Sequence, residues 1–286
     1  MYKRQLPLAS RWYPPEHQGT ALGIAGAGNS GTAFAALFAP TLAIMFGWQN
    51  VFGLCLIPLS IAFVVYLVFT RDAPSAPPPK SMMEYLHVLK DKDAWWFMFF
   101  YSVTFGGFSG LASSLTIYFN GQYGLSPVTA GYFTAACVFA GSAVRPLGGR
   151  LADRIGGIKT LSMMYMLAAS FMLIASFGLS SAMAAVAIFV LAMLSLGVGN
   201  GAVFQLVPQR FRKEIGVMTG LVGMAGGIGG FYLASSLGYS KQLTGSYQGG
   251  LIVFAALAIV ALLGLSAVKN RWRTTWGSAA MTNAKI

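Results

Sequence analysis

Long apolar segments dominate the chain and alternate with short polar ones. Eight of these segments are long enough for the roughly 20 residues with which an α-helix crosses a bilayer; they cover residues 19–46, 50–69, 95–120, 127–148, 160–178, 182–206, 215–240 and 248–268. Hydrophobic residues make up 56% of the 286 residues and charged residues only 9%, a composition unlike that of soluble globular domains. The sequence therefore predicts an all-α polytopic membrane protein with about eight transmembrane helices in a lipid bilayer.

The 19 lysines and arginines are distributed unevenly between the two ends of the predicted helices. When the helices are numbered from the first, all of these residues except Arg145 and Lys241 fall on one side. Because cytoplasmic loops of membrane proteins carry an excess of Lys and Arg, we expect both termini in the cytoplasm and the protein in the inner (plasma) membrane. The net charge of +12 then reflects topology, and no interleaving of basic and aromatic residues supports a nucleic-acid partner.

The chain contains an incomplete internal repeat. Residues 19–69 resemble residues 215–268 when the sequence is shifted so that glycines coincide (Gly19 with Gly216, Gly23 with Gly220, Gly26 with Gly223, Gly53 with Gly250), although chance matching is the alternative in a glycine-rich protein. Transporters built from two six-helix halves have such repeats. On this hypothesis the first four helices are missing and the chain is a truncated product or a fragment. We expect the last two helices of an N-terminal bundle (1–70), a cytoplasmic linker (71–94), a six-helix C-terminal bundle (95–268) and a cytoplasmic tail (269–286).

A charged, glycine-rich segment, GGRLADRIGG, follows the fourth apolar segment at residues 148–157. We interpret it as a cytoplasmic loop. Its Gly149, Asp153, Arg154 and Gly156 resemble the loop motif of the major facilitator superfamily, which recurs between the second and third helices of each half. The resemblance implies that the acid and the arginine hold neighbouring helix ends together during alternating access. A generic basic loop is the alternative interpretation.

Arg145 is the charged residue that falls inside a predicted helix. A charge within the bilayer is costly and is therefore a candidate functional residue by default. A guanidinium stays protonated and donates through a planar fork, which suits a small planar oxyanion, and Pro146 beside it is expected to bend the helix. The alternative is that Arg145, which is close in sequence to Arg150, extends its side chain to the membrane surface.

The positions of the other ionisable residues limit which substrates and coupling ions the predicted helices can bind. All seven acids and both histidines fall in predicted cytoplasmic segments, so no such side chain in the helices can carry a proton or pair with a cationic substrate. The unpaired arginine therefore predicts an anionic substrate and favours anion exchange. Neutral donors to that anion are available from Tyr101, Thr104, Asn29, Asn200 and Gln205. No nucleophile and base pair or acidic metal cluster is evident, so we expect no enzyme activity, no cofactor and no metal.

Glycines are concentrated in two helices, at Gly23, Gly26, Gly28 and Gly31 and at Gly223, Gly226, Gly227 and Gly230. Residues 26–31 satisfy the dinucleotide pattern GxGxxG, but neither the preceding strand nor the following acidic residue of that fingerprint is present. Close helix packing explains most of these glycines. The remainder are expected to let the backbone approach a small ligand or let the helix bend.

Three segments together carry a more specific resemblance: GIAGAGNSGTAFAALFAP (23–40), GVGNGAVFQLVPQRF (197–211) and GLVGMAGGIGGFYL (220–233). They resemble signature segments of the nitrate/nitrite porter family of the major facilitator superfamily, and residues 101–110 and 142–157 are similar to the first two helices of that family's C-terminal half. The resemblance implies a monomeric transporter that moves nitrate or nitrite by alternating access, as uptake or as nitrate/nitrite exchange.

In that family an arginine from each half clamps the anion. Arg145 matches the C-terminal arginine, with Tyr101 and Asn29 beside it, whereas the helix that carries its N-terminal partner is absent from this sequence. The alternatives are a carrier of another small anion and a transport-incompetent fragment. An integral-membrane enzyme is disfavoured.

Overall fold

The computed structural model describes residues 18–70, 83, 87–212 and 214–275, and all regular structure within these ranges is helical. The predicted all-α class is thus confirmed. A 3-10 turn, Ala27–Ser30, joins the first two helices. The helices are α1 (Gln18–Gly26), α2 (Gly31–Phe46), α3 (Trp48–Leu54), α4 (Leu56–Phe69), α5 (Lys92–Tyr123), α6 (Pro127–Ala143), α7 (Arg145–Ile155), α8 (Gly157–Ser176), α9 (Ala182–Arg210), α10 (Ile215–Thr244) and α11 (Gln248–Thr275).

Seven helical stretches of the described chain are long and apolar enough to cross a membrane: α1 with α2, α3 with α4, α6 with α7, and each of α8 to α11. The remaining predicted segment, 95–120, forms α5. This helix has 32 residues but is less apolar than the others because it carries Trp, Tyr, Ser and Gly residues. It packs against α6, α9, α10 and α11. The chain is therefore a multi-pass membrane protein in which α5 is a central, largely covered helix.

The predicted loop at residues 148–157 is wrong. α7 continues as a helix to Ile155 and α8 begins at Gly157, so the charged motif lies on a helix end and only Gly156 forms the turn. Gly156 has a φ of +99°, which is strained for any residue with a Cβ atom. Because it is a glycine, this residue lets the chain reverse direction within one position.

Two other predicted boundaries also shift. α5 begins at Lys92 because the side chain of Asp91 accepts a hydrogen bond from the N–H of Asp93 and caps the helix. α11 continues to Thr275, beyond the predicted start of the tail. Most of the predicted linker, residues 71–82 and 84–86, and the tail after 275 lie outside the described residues. The division of the chain into bundles stays a prediction.

The first two helices pack onto the helices that follow. α1 contacts α7 and α9, and α2 contacts α6. Small residues make this approach possible, because a Cβ atom on Gly131 of α6 would lie only 2.5 Å from the carbonyl oxygen of Ala36 in α2. α3 packs against α2 and α4 packs against α3, and nearly all side chains of α3 and α4 are exposed. The contact between α1, α7 and α9 is what creates the candidate site.

Candidate anion site

Arg145 is buried where two helices meet. It is the first residue of α7, directly after the break at Val144 that ends α6, and only 2% of its surface is exposed. Pro146 has no N–H and cannot donate to the carbonyl of Ser142, which accounts for the break. The side chain is therefore buried between helices, and its depth relative to the membrane surface stays a prediction.

The guanidinium of Arg145 is held on one side and free on the other. Its Nη1 donates to the carbonyl oxygen of Gly26, 2.8 Å away. Its Cζ lies 4.4 Å from the ring centre of Phe108 and 5.3 Å from that of Phe105, distances at which a ring face attracts a cation. Nε and Nη2 are buried and have no hydrogen-bond partner among the described residues. A buried donor without an acceptor is unfavourable, and an anion would satisfy both.

Glycines of α1 allow this arrangement. A Cβ atom on Gly23 would lie 2.6 Å from the carbonyl oxygen of Arg145 and 2.9 Å from Cα of Pro146, so α1 rests directly on the backbone of the α6–α7 break. Asn29 lies in the 3-10 turn that follows Gly26. This turn contacts α6, and Asn29 is half-buried. Asn29 thus follows, by three positions, the glycine that accepts the hydrogen bond from Arg145.

Tyr101 reaches the site through an aromatic cluster. The Tyr101 ring stacks on Phe105, with centres 5.1 Å apart, and meets Phe204 edge-on at 4.8 Å. Because Phe105 also contacts the guanidinium of Arg145, one ring connects the phenol and the cation. A Cβ atom on Gly226 of α10 would lie 2.8 Å from both Tyr101 and Phe105. This signature glycine therefore makes room for the aromatic wall of the site.

Asn200 is the neutral donor with unsatisfied groups. It is 2% exposed, and neither its amide nitrogen nor its amide oxygen has a partner within the described part of the chain. It is adjacent to Gly201, at which a Cβ atom would lie 2.8 Å from the carbonyl oxygen of Arg145. It also lies one turn before Phe204, the residue that contacts Tyr101. Asn200 therefore lies on α9 beside the glycine that packs against Arg145 and one turn before the ring that contacts Tyr101.

The other two predicted donors are used elsewhere. Thr104 is buried, and its hydroxyl donates to the carbonyl oxygen of Phe100 within α5, at 3.3 Å. Gln205 lies against the start of α8, where a Cβ atom on Gly157 would meet its amide oxygen.

The signature glycines fall into two groups. Gly23, Gly26, Gly226 and Gly230 each face a neighbouring helix, and a Cβ atom on Gly230 would lie 3.0 Å from Oγ of Ser109. In contrast, a Cβ atom on any glycine of the second group would have no described atom within 4 Å (Gly28, Gly31, Gly223, Gly227). Helix packing explains the first group. The second group lines open faces of the 3-10 turn, α2 and α10.

Asp153 of the charged motif joins α7 to α1. Its Oδ2 accepts hydrogen bonds from the backbone N–H of Thr20, at 3.1 Å, and from the Thr20 hydroxyl, at 3.0 Å. The N–H groups of the first turn of a helix lack partners within the helix, and a carboxylate there is also favoured by the helix dipole. Gly149 packs its backbone against Gly201 of α9, whereas Arg154 is exposed. The aspartate therefore forms a contact between helix ends, and no such contact of Arg154 is found among the described residues.

Phe105 and Phe108 are site residues that sequence reasoning missed. Together with Tyr101 they recur at helical spacing on one face of α5, which is the signal that the sequence carries. Within the described ranges, no group of three His, Cys, Asp or Glu residues is placed to hold a metal ion. The arrangement of Arg145, Asn200 and Tyr101 is suited to binding a small anion rather than to chemical conversion.

Comparison with known proteins gives the family. Residues 6–234 match the family model of the Major Facilitator Superfamily. The chain belongs to the major facilitator superfamily. This is a superfamily of transporters rather than of enzymes, and the seven membrane-crossing stretches are consistent with part of its fold.

Several members of the superfamily are similar to this chain in sequence. It is 35% identical over 270 residues to the probable nitrate transporter NarT of Staphylococcus carnosus, covering 91% of this chain and 68% of that protein. It is 32% identical over 252 residues to the nitrite extrusion protein of Bacillus subtilis, covering 88% and 63%. For the probable nitrate/nitrite transporter NarK2 of Mycobacterium tuberculosis the identity is 32% over 260 residues, covering 90% and 66%. The resemblance to the nitrate/nitrite porter branch is confirmed, and the chain spans about two thirds of these relatives.

Proposed function

We propose that this chain binds nitrate or nitrite beside Arg145 and takes part in the transport of that anion across the inner membrane by alternating access. The observation that carries the proposal is the buried guanidinium of Arg145, in which Nε and Nη2 have no partner among the described residues. The names of the relatives, which refer to nitrate and nitrite, support the choice of anion. From the distribution of Lys and Arg we place both termini in the cytoplasm, and we take the complete transporter to act as a monomer without a cofactor.

The geometry of Arg145 suits a planar oxyanion. Nε and Nη2 lie on the same edge of the guanidinium plane, so the two free donors point in parallel and can bind two oxygens of one anion. Nη1 is fixed by Gly26, and the rings of Phe105 and Phe108 hold the plane in position. A site in which the donors are already oriented loses little entropy when the anion binds.

Two neutral side chains complete the proposed site. The amide of Asn200 is buried without a partner in the described chain and supplies an N–H group to a third oxygen. The hydroxyl of Tyr101 donates from the aromatic wall. Asn29 closes the site from the 3-10 turn that follows α1. None of these groups is charged, which fits a substrate with a single negative charge already met by Arg145.

The internal repeat extends the proposal to a second half-site. Gly223 of α10 is the repeat equivalent of Gly26, whose carbonyl accepts the hydrogen bond from Arg145. A Cβ atom on Gly223 would have no described atom within 4 Å. In the complete transporter we place the second arginine, which the family resemblance implies, against this open glycine face. The two halves would then rock around an anion held from both sides.

A chimera tests the transport role. The matching segment of the Staphylococcus carnosus relative is replaced by this chain, and uptake of labelled nitrate into cells is measured with and without nitrite preloading. The chimera is expected to take up nitrate, and Arg145→Lys is expected to abolish uptake while membrane insertion stays normal. Uptake that persists in Arg145→Lys, or uptake of formate or chloride equal to that of nitrate, would overturn the assignment. Proteoliposomes of this chain alone are expected to show no flux, and flux there would show that the second half-site is dispensable.

A further inference from the structure

A second cluster of charged residues lies far along the helices from Arg145, where α5 begins and α9 and α11 end. Asp93 is its buried centre. Its Oδ2 accepts from Nε of Arg210 at 3.0 Å, and its Oδ1 accepts from Nε1 of Trp272 at 2.7 Å and from the guanidinium of Arg271. Asp91 accepts from the N–H of Asp93 at 2.8 Å and from Arg210 at 2.6 Å. All four carboxylate oxygens are therefore already used in internal contacts.

Beside these ion pairs is an open cavity of about 530 Å³, which is large enough for a small polar group. Its lining contains four cationic side chains, the two aspartates that are already bonded internally, and one hydroxyl (Lys90, Asp91, Lys92, Asp93, Arg210, Arg271, Thr275). Lys90 and Lys92 are exposed, and neither pairs with a carboxylate in the part of the chain that the structure describes. The cavity therefore presents a net positive charge and free donors to whatever enters it.

The position of the cavity relative to the bilayer is marked by Trp95. Its ring is 56% exposed and lies one helical turn from Lys92 on the same side of α5. Its Nε1 donates to the carbonyl oxygen of Leu89 at 2.8 Å, which fixes the ring against the helix start. Exposed tryptophans of membrane proteins are enriched at the level of the lipid headgroups. On this basis we take Lys90 and Lys92 to lie at the level of the lipid phosphates.

We propose that this cavity binds the phosphate group of an anionic phospholipid, and that the bound lipid links the ends of α5, α9 and α11. Basic pockets between transmembrane helices on the cytoplasmic side are suited to such headgroups, and charge-assisted hydrogen bonds from Lys and Arg to phosphate are strong. Asp93 holds Arg210 and Arg271 in place, and Lys90 and Lys92 supply the donors to the phosphate. The ligand differs from the substrate at Arg145 in both location and chemistry.

Native mass spectrometry of the purified chain in detergent tests the proposal with dioleoyl phosphatidylglycerol, cardiolipin, dioleoyl phosphatidylcholine and inorganic phosphate as separate probes. The expected result is one tightly bound anionic lipid and no comparable binding of phosphatidylcholine. In the double variant Lys90→Gln/Lys92→Gln, the affinity for the anionic lipid should fall about fivefold for each lysine.

The matched control is Lys159→Gln/Arg273→Gln, which removes two exposed cations at the same end of the bundle without touching the cavity. It should bind the anionic lipid as the unmodified chain does. An equal loss of affinity for the anionic lipid in both double variants would show that only general surface charge matters, and would overturn the proposal. Binding of inorganic phosphate as tight as that of the lipid, with the same dependence on Lys90 and Lys92, would assign the cavity to a soluble phosphate compound and would also overturn it.

Discussion

The carbonyl oxygen of Gly26 accepts a hydrogen bond of 2.8 Å from Nη1 of Arg145. This bond joins α1 to the break between α6 and α7, although the two residues are 119 positions apart in the chain. It also decides which donors of the guanidinium remain free. The contact between the helices and the geometry of the anion site therefore depend on the same hydrogen bond.

Gly23→Val is expected to lower the stability of the protein, whereas Gly28→Val is expected to impair transport. At Gly23 a Cβ atom would lie 2.6 Å from the carbonyl oxygen of Arg145, whereas Gly28 has no described atom within 4 Å. Gly23→Val should destabilise the contact between α1 and α7 by about 1–3 kcal/mol, as overpacking usually does, and lower the melting temperature in detergent.

Gly28→Val should leave the melting temperature nearly unchanged and should block nitrate uptake in the chimera, because the open glycine face is needed when the two halves close. Gly227→Val on α10 is expected to behave in the same way. Normal uptake in both of these variants would show that the open glycines serve no closing surface.

Asp153→Asn is expected to weaken the attachment of α1. Asp153 accepts two hydrogen bonds from Thr20 at the first turn of α1, and loss of a capping group typically costs about 0.5–2 kcal/mol. The two residues should be coupled in a double-mutant cycle with Thr20→Val, measured by thermal unfolding. Additive effects of the two substitutions would contradict a direct contact.

Tyr101→Phe separates the hydroxyl from the ring. The ring contacts with Phe105 and Phe204 are retained, so stability should not fall. If the hydroxyl donates to the anion, nitrate affinity should drop by roughly tenfold, since a hydrogen bond to a charged group contributes about 1.5 kcal/mol or more. Isothermal titration with nitrate measures this, and unchanged affinity would remove Tyr101 from the site.

Asn200→Leu distinguishes a binding amide from a structural one. Because neither polar atom of Asn200 has a partner in the described chain, replacing it by an apolar side chain of similar size should leave stability unchanged or raise it. Nitrate affinity should fall. Thr104→Val is the matched control, because its hydroxyl is bonded within α5, and it should leave nitrate affinity unchanged. Loss of stability in Asn200→Leu with normal affinity would contradict the assigned role.

The sequence predicted candidate residues of the site but not their surroundings. Arg145 stood out because a charge in an apolar segment is rare, and the family resemblance singled out Tyr101 and Asn29 among the neutral donors. Phe105 and Phe108 did not stand out, because aromatic residues in an apolar helix are common. Their contact with a cation depends on how α5 packs against the α6–α7 break, which no local pattern encodes.

The two groups of glycines show the same limit. Gly226 and Gly227 are adjacent in the sequence, yet one makes room for Tyr101 and the other faces open space. Spacing along a helix shows that the two residues point in different directions, but not which direction meets a neighbouring helix. Similarly, the charged residues at 150–155 suggested a loop, whereas their helix is held in place by the contact of Asp153 with α1.

The most direct test of the central claim is nitrate binding to the purified chain, measured by isothermal titration for the unmodified protein and for Arg145→Lys. Lysine keeps the positive charge but cannot present two parallel donors. Saturable binding of one nitrate to the unmodified chain, weakened at least about tenfold in Arg145→Lys, is the predicted result. Equal nitrate affinity of the two proteins, with both correctly folded, would contradict the assignment of Arg145 as the anion-binding residue.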